Sequence, residues 1–329
     1  MTPVRFGILG AARIAPAALI KPARAVADAA VVTLAARDRA RAEGFAKKHA
    51  IPNVADSYDD VVADPDVDAI YIPLPNSHHA AWTIAALEAG KHVLCEKPFT
   101  SNAAEAEAVA QVAAQHPDLV VMEAFHYRYH PVAIRMRGII DSGELGALRH
   151  VEAALCFPLP RFGDIRYRYD LAGGATMDAG CYAVHLARLL GGEEPAVTRA
   201  QAKLRGTDID RAMTAELRFP SGHTGRVTAS MWSSTLLRIS ARAVGDRGEL
   251  SVFNPVGPQY FHRMVVRAGG KRRVERLSRR PTYEYQLDAF CDAVLRGGPV
   301  LTPPADSIAN MRVIDAIYEA AGLPVRSAR

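Results

Sequence analysis

The sequence predicts an α/β protein of two domains. Residues 1–125 read as a doubly wound parallel sheet, and residues 126–329 as an α+β domain with a large, mostly antiparallel sheet. Three observations carry that expectation. The 329 residues exceed what one compact core usually accommodates. Up to about residue 130, short apolar runs alternate with helical patterns, the rhythm of parallel pairing. Beyond it, strand-like runs follow one another with Gly and Pro punctuation and without helices between them, the rhythm of antiparallel pairing.

Taken in order, Val4 to Leu9 is a buried strand, and Gly10-Ala11-Ala12-Arg13-Ile14-Ala15 leads into a helix that Pro22 interrupts. Val31 to Ala36 is a strand and Arg39 to His49 a helix. Ser57 to Ala63 is a short helix opened by Ser57 with Asp60 at capping-box spacing. Ala69 to Ile72 is a strand, Ser77 to Ala89 a helix and His92 to Cys95 a strand. An alanine-rich helix capped by Ser101 then leads to the strand Leu119 to Glu123. Helices at Pro131 to Ser142 and Asp178 to Leu190 precede the strands Val197 to Leu204, Ala212 to Phe219, Thr224 to Met231, Arg238 to Val244 and Glu249 to Phe253. Helices at Tyr283 to Leu295 and Asp306 to Ala321 close the chain. With no repeat and no low-complexity linker, the halves are expected to share an extensive interface, with the site in the cleft between them.

Composition narrows the function classes. Hydrophobic content of 49% and charged content of 23% describe an ordinary folded chain. Apolar runs are broken by charges before the ~20 residues a bilayer requires, so no membrane span is expected, and no signal peptide is read at the N-terminus. Cys95, Cys156, Cys181 and Cys291 lie too far apart for a disulfide scaffold or a zinc site, which points to a cytoplasmic setting and no metal. The net charge of +5 is concentrated in Arg263 to Arg280, with Arg267, Lys271, Arg272, Arg273, Arg276 and Arg279. Lacking aromatics to stack bases and any DNA-binding motif, this run reads as the solvated edge of a hairpin rather than a nucleic-acid site.

Gly10 lets the backbone approach a pyrophosphate, and the helix after it offers free N–H groups. Ala12 and Ala15 stand at the later small-residue positions of the dinucleotide fingerprint, so the motif is weak alone and gains weight from its strand-turn-helix setting, that of a Rossmann domain. The second strand ends in Ala35-Ala36-Arg37-Asp38 without a terminal acid for a ribose hydroxyl. Arg37, with Arg39 as a second candidate, suits a 2′-phosphate, so NADP is favoured and NAD stays possible through Asp38. A surface arginine at a strand end would read the same way.

His92-Val93-Leu94-Cys95-Glu96-Lys97-Pro98 places Lys97 just past a strand's carboxyl end, where ligands bind in open parallel sheets. Glu96 is positioned to orient the ammonium, although an exposed loop lysine is the plain alternative. Farther on, Gly173-Gly174 reads as a flexible loop leading into a helix. There Asp178, Tyr182 and His185, at spacings of four and three, share one face. Any one of them has an ordinary structural explanation; three converging polar groups favour function.

On these segments the sequence resembles the glucose-fructose oxidoreductase, inositol dehydrogenase and MocA (Gfo/Idh/MocA) family. The matching stretches are Gly7 to Ala15, Pro75-Asn76-Ser77-His78-His79, Glu96-Lys97-Pro98, Glu123 to Pro131, Gly173 to His185 and Ile314 to Tyr318, in order over nearly the whole chain. The resemblance implies that Lys97 is the catalytic lysine, that Asp178 lies beside the substrate hydroxyl, and that Tyr182 is the acid or base. Tyrosine instead of histidine there resembles the branch of dimeric dihydrodiol dehydrogenase and NADP-dependent xylose and glucose-fructose enzymes. It further implies Gly10, Ala12, Arg13, Ile14, Arg37, Leu74, Pro75, Asn76, His79, Glu96, Lys97, Arg128 and Arg166 at the cofactor. Lys97, Tyr127, Asp178 and Tyr182 would stand at the substrate.

The expected chemistry is hydride transfer between the nicotinamide of NADP and an aldose or vicinal diol, the proton passing to Tyr182 with its ordinary pKa of ~10 lowered by Lys97. An enzyme that holds its cofactor tightly and passes hydride between two substrates, or a non-catalytic dinucleotide-binding regulator, are the alternatives. A homodimer or homotetramer through the C-terminal sheet is expected from the resemblance.

Overall fold

The computed structural model describes residues 2–327. In the first part of the chain, β1 (Val4–Leu9), β2 (Ala29–Ala35), β3 (Asn53–Val54), β4 (Ala69–Ile72), β5 (His92–Cys95) and β6 (Val121–Glu123) alternate with α1 (Lys21–Ala25), α2 (Arg39–His49), α3 (Tyr58–Ala63), α4 (His79–Glu88) and α5 (Ala103–Gln115). The strands pair in parallel in the order β3-β2-β1-β4-β5-β6. This reversal of order at β1 and β4 creates the crevice at strand carboxyl ends where such sheets bind ligands.

Local chemistry sets the boundaries. The Asp38 carboxylate accepts from the Arg41 N–H and caps α2, while Ser57 and Asp60 form the reciprocal capping box of α3. At Gly7 a Cβ would stand 2.5 Å from Val61 Cγ1, so the missing side chain is what lets α3 pack on β1. Pro22 does not end the first helix. A π-turn over Pro16–Ile20 runs directly into α1, of which Pro22 is the second residue.

In the second part, α6 (Pro131–Asp141), β7 (Leu148–Cys156) and α7 (Cys181–Gly191) precede β8 (Ala196–Arg205), β9 (Ile209–Arg218), β10 (Thr224–Ser230), β11 (Arg238–Gly245), β12 (Gly248–Phe253), β13 (Arg263–Ala268) and β14 (Lys271–Glu275). The sheet order is β14-β13-β12-β11-β7-β10-β9-β8, antiparallel except for β7 with β10. β7, not expected from the sequence, is thus a central strand. Its Arg149, His150 and Glu152 interrupt the apolar alternation because that part faces outward. The basic run is the expected hairpin edge: β13 and β14 are joined by Gly269-Gly270, both at positive φ.

α7 lies on β7, β10 and β11. Charged side chains cross the strands in an alternating row: Glu216 with Arg226 (3.3 Å), Glu152 with Arg238 (3.1 Å) and Arg242 (3.5 Å), and Glu249 with Arg242 (2.9 Å) and Arg267 (3.8 Å).

Two helices follow, α8 (Thr282–Arg296) and α9 (Pro304–Ala320). The chain forms two compact units: residues 1–100, 104–129 and 280–307 make the first, and residues 101–103, 130–279 and 308–329 the second. α8 therefore returns to the parallel sheet, where Phe290 packs on Phe6 with ring centroids 5.4 Å apart. All four cysteines are buried and unbridged. Among the described residues no helix is long and apolar enough to cross a membrane.

Candidate active site

In the first unit the chain turns sharply after β1. Gly10 has φ +103°, and its N–H donates to Ala35 O at 2.7 Å, tying the turn to the end of β2. A Cβ on Gly10 would meet Leu74 Cδ2 at 3.2 Å and Tyr58 Oη at 3.5 Å. Only glycine leaves the backbone both this conformation and this space. Ala12 is half-buried, and Arg13 and Ile14 are exposed on the approach to the π-turn.

Arg37, one turn of chain past β2, is exposed, and among the described residues no ion pair holds it. Arg39, the second phosphate candidate, is committed elsewhere, to Glu43 at 2.8 Å and to Asp56. Arg41 was not anticipated: its Nη2 donates to Ala11 O at 2.9 Å, bracing the glycine turn. Tyr58, also not anticipated, brings its hydroxyl to the glycine turn, and burial raises its phenol pKa. The turn, the free helix start and an uncommitted arginine fit a dinucleotide carrying a 2′-phosphate.

Leu74, Pro75 and Asn76 follow β4 and are half-buried. His79 lies inside the first unit. It is buried, with Nδ1 2.7 Å from Pro98 O and Nε2 2.9 Å from Leu74 O, and burial pushes its imidazole down to about 4. The ring lies between these two backbone carbonyls, so His79 ties the loop after β4 to the loop after β5. Lys97 is half-buried immediately past β5. Beside it, the buried Glu96 accepts from Tyr71 Oη at 2.7 Å, and burial together with that carboxylate pushes the Tyr71 phenol far up. Tyr127 is fully buried and packs edge-on against Phe125. Arg128 is half-buried in the same turn.

In the second unit the helix expected from Asp178 becomes regular only at Cys181; Thr176–Gly180 is a π-turn, a winding that recurs at functional sites. Gly180 explains the local packing, since a Cβ there would touch Thr176 Cγ2 at 3.3 Å and Ala229 Cβ at 3.4 Å on β10. Asp178, 17% exposed at its side chain, pairs with Arg166 Nε at 3.2 Å, and Arg166 also meets Asp164 at 3.3 Å. Two expected site residues are thus brought together. Tyr182 and His185, on α7, are buried.

The Gly173-Gly174 loop is not a flexible one. Gly173 N–H donates to Arg168 O (2.9 Å) and Gly174 N–H to Arg166 O (2.8 Å), and a Cβ on Gly173 would lie 2.5 Å from Arg166 O. The glycines are needed for contact. Within the second unit a cavity of ≈ 460 Å³ is lined by Phe162, Leu204, Arg205, Arg211 and Trp232. Among the described residues no cluster of His, Cys, Asp and Glu is grouped as metal ligands would be.

Comparison with known proteins places this architecture. A family described as "Oxidoreductase family, NAD-binding Rossmann fold" matches residues 4–124, and its C-terminal domain counterpart matches residues 133–251. The chain is 38% identical to D-xylose 1-dehydrogenase (NADP(+)) 2 from Haloferax volcanii, over 96% of this chain and 97% of that protein. It is 36% identical to trans-1,2-dihydrobenzene-1,2-diol dehydrogenase from Bos taurus, over 68% and 66%. A 3-ketoreductase from Actinomadura kijaniata, solved with NADP and TDP-benzene, superposes with a TM-score of 0.89 at 29% identity, covering 97% of this chain and 98% of that one. An aldose-aldose oxidoreductase from Caulobacter crescentus gives the same TM-score at 25% identity over the same shares. The chain belongs to the Gfo/Idh/MocA oxidoreductase family.

Proposed function

We propose that the protein is an NADP-dependent oxidoreductase acting on a CH–OH group of an aldose or vicinal diol, with Lys97, Asp178 and Tyr182 as its catalytic residues. The observation that carries this reading is the start of α7, where Asp178 stands beside Arg166 and Tyr182 follows on the same helix. The relatives supply the substrate class: a xylose dehydrogenase and a dihydrodiol dehydrogenase. Gly10, Ala12, Arg13 and Ile14 would hold the pyrophosphate, Arg37 the 2′-phosphate, and the Leu74, Pro75 and Asn76 loop the ribose and nicotinamide side.

When bound, the nicotinamide supplies an acceptor or donor of hydride. The chain's own residues do the rest. Asp178, fixed by Arg166, accepts a hydrogen bond from the substrate hydroxyl and orients its carbon–hydrogen bond. Tyr182 takes the hydroxyl proton in oxidation and returns it in reduction. Lys97 would supply positive charge to stabilise the developing alkoxide.

The test follows the near-ultraviolet absorbance of reduced nicotinamide with NADP and NAD separately, across aldoses, inositols and trans-diols. Lys97→Ala is expected to abolish turnover with NADP(H) binding nearly intact, and Tyr182→Phe to lower kcat strongly. An active Lys97→Ala enzyme would sink the mechanism. The likeness to an aldose-aldose oxidoreductase keeps one further reading, a retained cofactor serving two substrates. NADP carried through purification and reduced by one sugar, then reoxidised by another, would favour it. We assign a cytoplasmic setting, supported by four unbridged buried thiols, and a homodimer or homotetramer through the charged sheet, whose alternating row is self-complementary.

A further inference from the structure

We infer that Arg326, near the end of the chain, and Asp210 are positioning residues that together set the geometry of the Arg166–Asp178 pair; the inference rests on the catalytic role proposed for Asp178. Both are fully buried, and they pair at 3.0 Å. Arg326 uses all three guanidinium nitrogens. Nε donates to Gly173 O at 2.9 Å, Nη1 to Pro324 O at 3.3 Å, and Nη2 to Asp208 O at 2.9 Å and Asp210 Oδ1 at 3.0 Å. Its plane lies near the rings of Tyr318 (4.2 Å) and Tyr169 (4.8 Å), and its own carbonyl accepts from Asn102 Nδ2 at 2.7 Å.

Asp210 is the other half of the device. Its Oδ2 accepts from the Thr176 N–H and hydroxyl, each at 2.7 Å, and its Oδ1 from Tyr318 Oη at 3.0 Å. Thr176 opens the π-turn two residues before Asp178, so the carboxylate fixes where that turn begins. Arg326 holds Gly173 O, and the N–H groups of Gly173 and Gly174 in turn hold the carbonyls of Arg168 and Arg166. Both members of the Arg166–Asp178 pair therefore hang from one buried ion pair, Asp178 through Thr176 and Arg166 through the two glycines. Gly174 confirms how little space separates these parts: a Cβ would lie 2.2 Å from Asp210 Oδ1 and 3.2 Å from Arg326 Nη2.

A planar fork explains why arginine serves here. Four acceptors on three segments are reached at fixed angles, which a lysine ammonium on a flexible stem does not reproduce. Buried ion pairs contribute little net stability compared with apolar packing, which leaves geometry as the use of this one.

The experiment measures kcat, KM and NADP(H) dissociation constants for Arg326→Ala with and without added guanidinium. A second variant, Asp210→Asn with Arg326→Leu, removes both charges at once so that no lone charge is buried. Lys97→Ala and Asp178→Asn serve as controls on the catalytic reading. A misplacement of about 1 Å at the reacting groups costs on the order of 100-fold. Arg326→Ala is therefore expected to lose one to two decades of kcat, with cofactor binding unchanged and turnover partly restored by guanidinium. If Arg326→Ala does not fold, a folded double variant with the same selective loss of kcat supports the inference. Full kcat in either folded variant overturns it, as does a parallel fall of kcat, cofactor affinity and Tm that guanidinium does not reverse. Full activity in Lys97→Ala or Asp178→Asn instead overturns the catalytic reading.

Discussion

Replacing Glu275 with glutamine removes the negative charge, and one of the two oxygens, that receive three charge-assisted hydrogen bonds on β14: from Arg135 Nε (2.6 Å) and Nη2 (2.8 Å), and from Arg273 Nε (2.7 Å). The bond from Arg135 on α6, and after it that from Arg273, holds the Glu275 carboxyl down to about 2 against the cost of its burial. An unfolded glutamate titrates near ~4.3, so the difference corresponds to a ceiling of about 3 kcal/mol. The Glu275 side chain is 17% exposed and the two arginines 41%, and solvent screening brings the figure to about 2 kcal/mol. Because the folded pKa is depressed, this stability is fully present above the unfolded pKa of ~4.3 and is lost as pH falls through about 2, with roughly half gone by about pH 3. Urea unfolding of wild type and Glu275→Gln at neutral pH and near pH 3 reads both quantities. The gap between the two proteins is expected to be about 2 kcal/mol at neutral pH and to shrink by about half on acidification. A gap that stays constant with pH, or a variant as stable as wild type at neutral pH, would refute the reasoning.

Two more outcomes follow from the geometry. Arg37→Asp is expected to shift preference from NADP toward NAD, because it places an acid where the ribose hydroxyl would be read; an unchanged ratio of kcat/KM values for the two cofactors would remove Arg37 from the site. Gly174→Ala, at φ +137° and with its Cβ against Asp210, is expected to cost about 2–5 kcal/mol, backbone strain and overpacking combined, in a thermal melt. Gly143→Ala, at φ +69° but in open space, should cost only about 1 kcal/mol in the same assay, so equal losses would show that conformation alone matters.

The first unit was largely legible because its strands are buried on both faces and stand out as apolar runs; β1, α2, β4 and β5 lie where the sequence reading put them. The hairpin of β13 and β14 was read from its run of charges, which suits a solvated sheet edge. β7 escaped because half of it faces outward, and a strand whose polar positions carry Arg149, His150 and Glu152 has no continuous apolar signal. The return of α8 to the parallel sheet is decided by tertiary packing of Phe290 on Phe6, a contact no local pattern encodes. At the candidate site, the sequence marked Gly10, Lys97, Asp178 and Arg166, residues whose types suggest chemistry. It could not mark Arg41, Tyr58 or Tyr71, which act through a backbone carbonyl, a glycine turn and a carboxylate brought near by folding.

The four buried thiols have a practical side. Cys95 ends β5 two positions before Lys97, Cys181 precedes Tyr182, and Cys291 lies on α8, so each unit carries native sulfhydryls close to functional or returning elements. Burial pushes the Cys95, Cys156 and Cys291 thiols up, holding them in the unreactive protonated form while the fold is closed. Alkylating reagents and oxidants in solution therefore meet these sulfurs only during excursions that open the surrounding strands and helices, and the rate of labelling at each position becomes a clock for local opening. The protein carries, without engineering, two internal chronometers per unit: Cys95 and Cys291 for the first, Cys156 and Cys181 for the second.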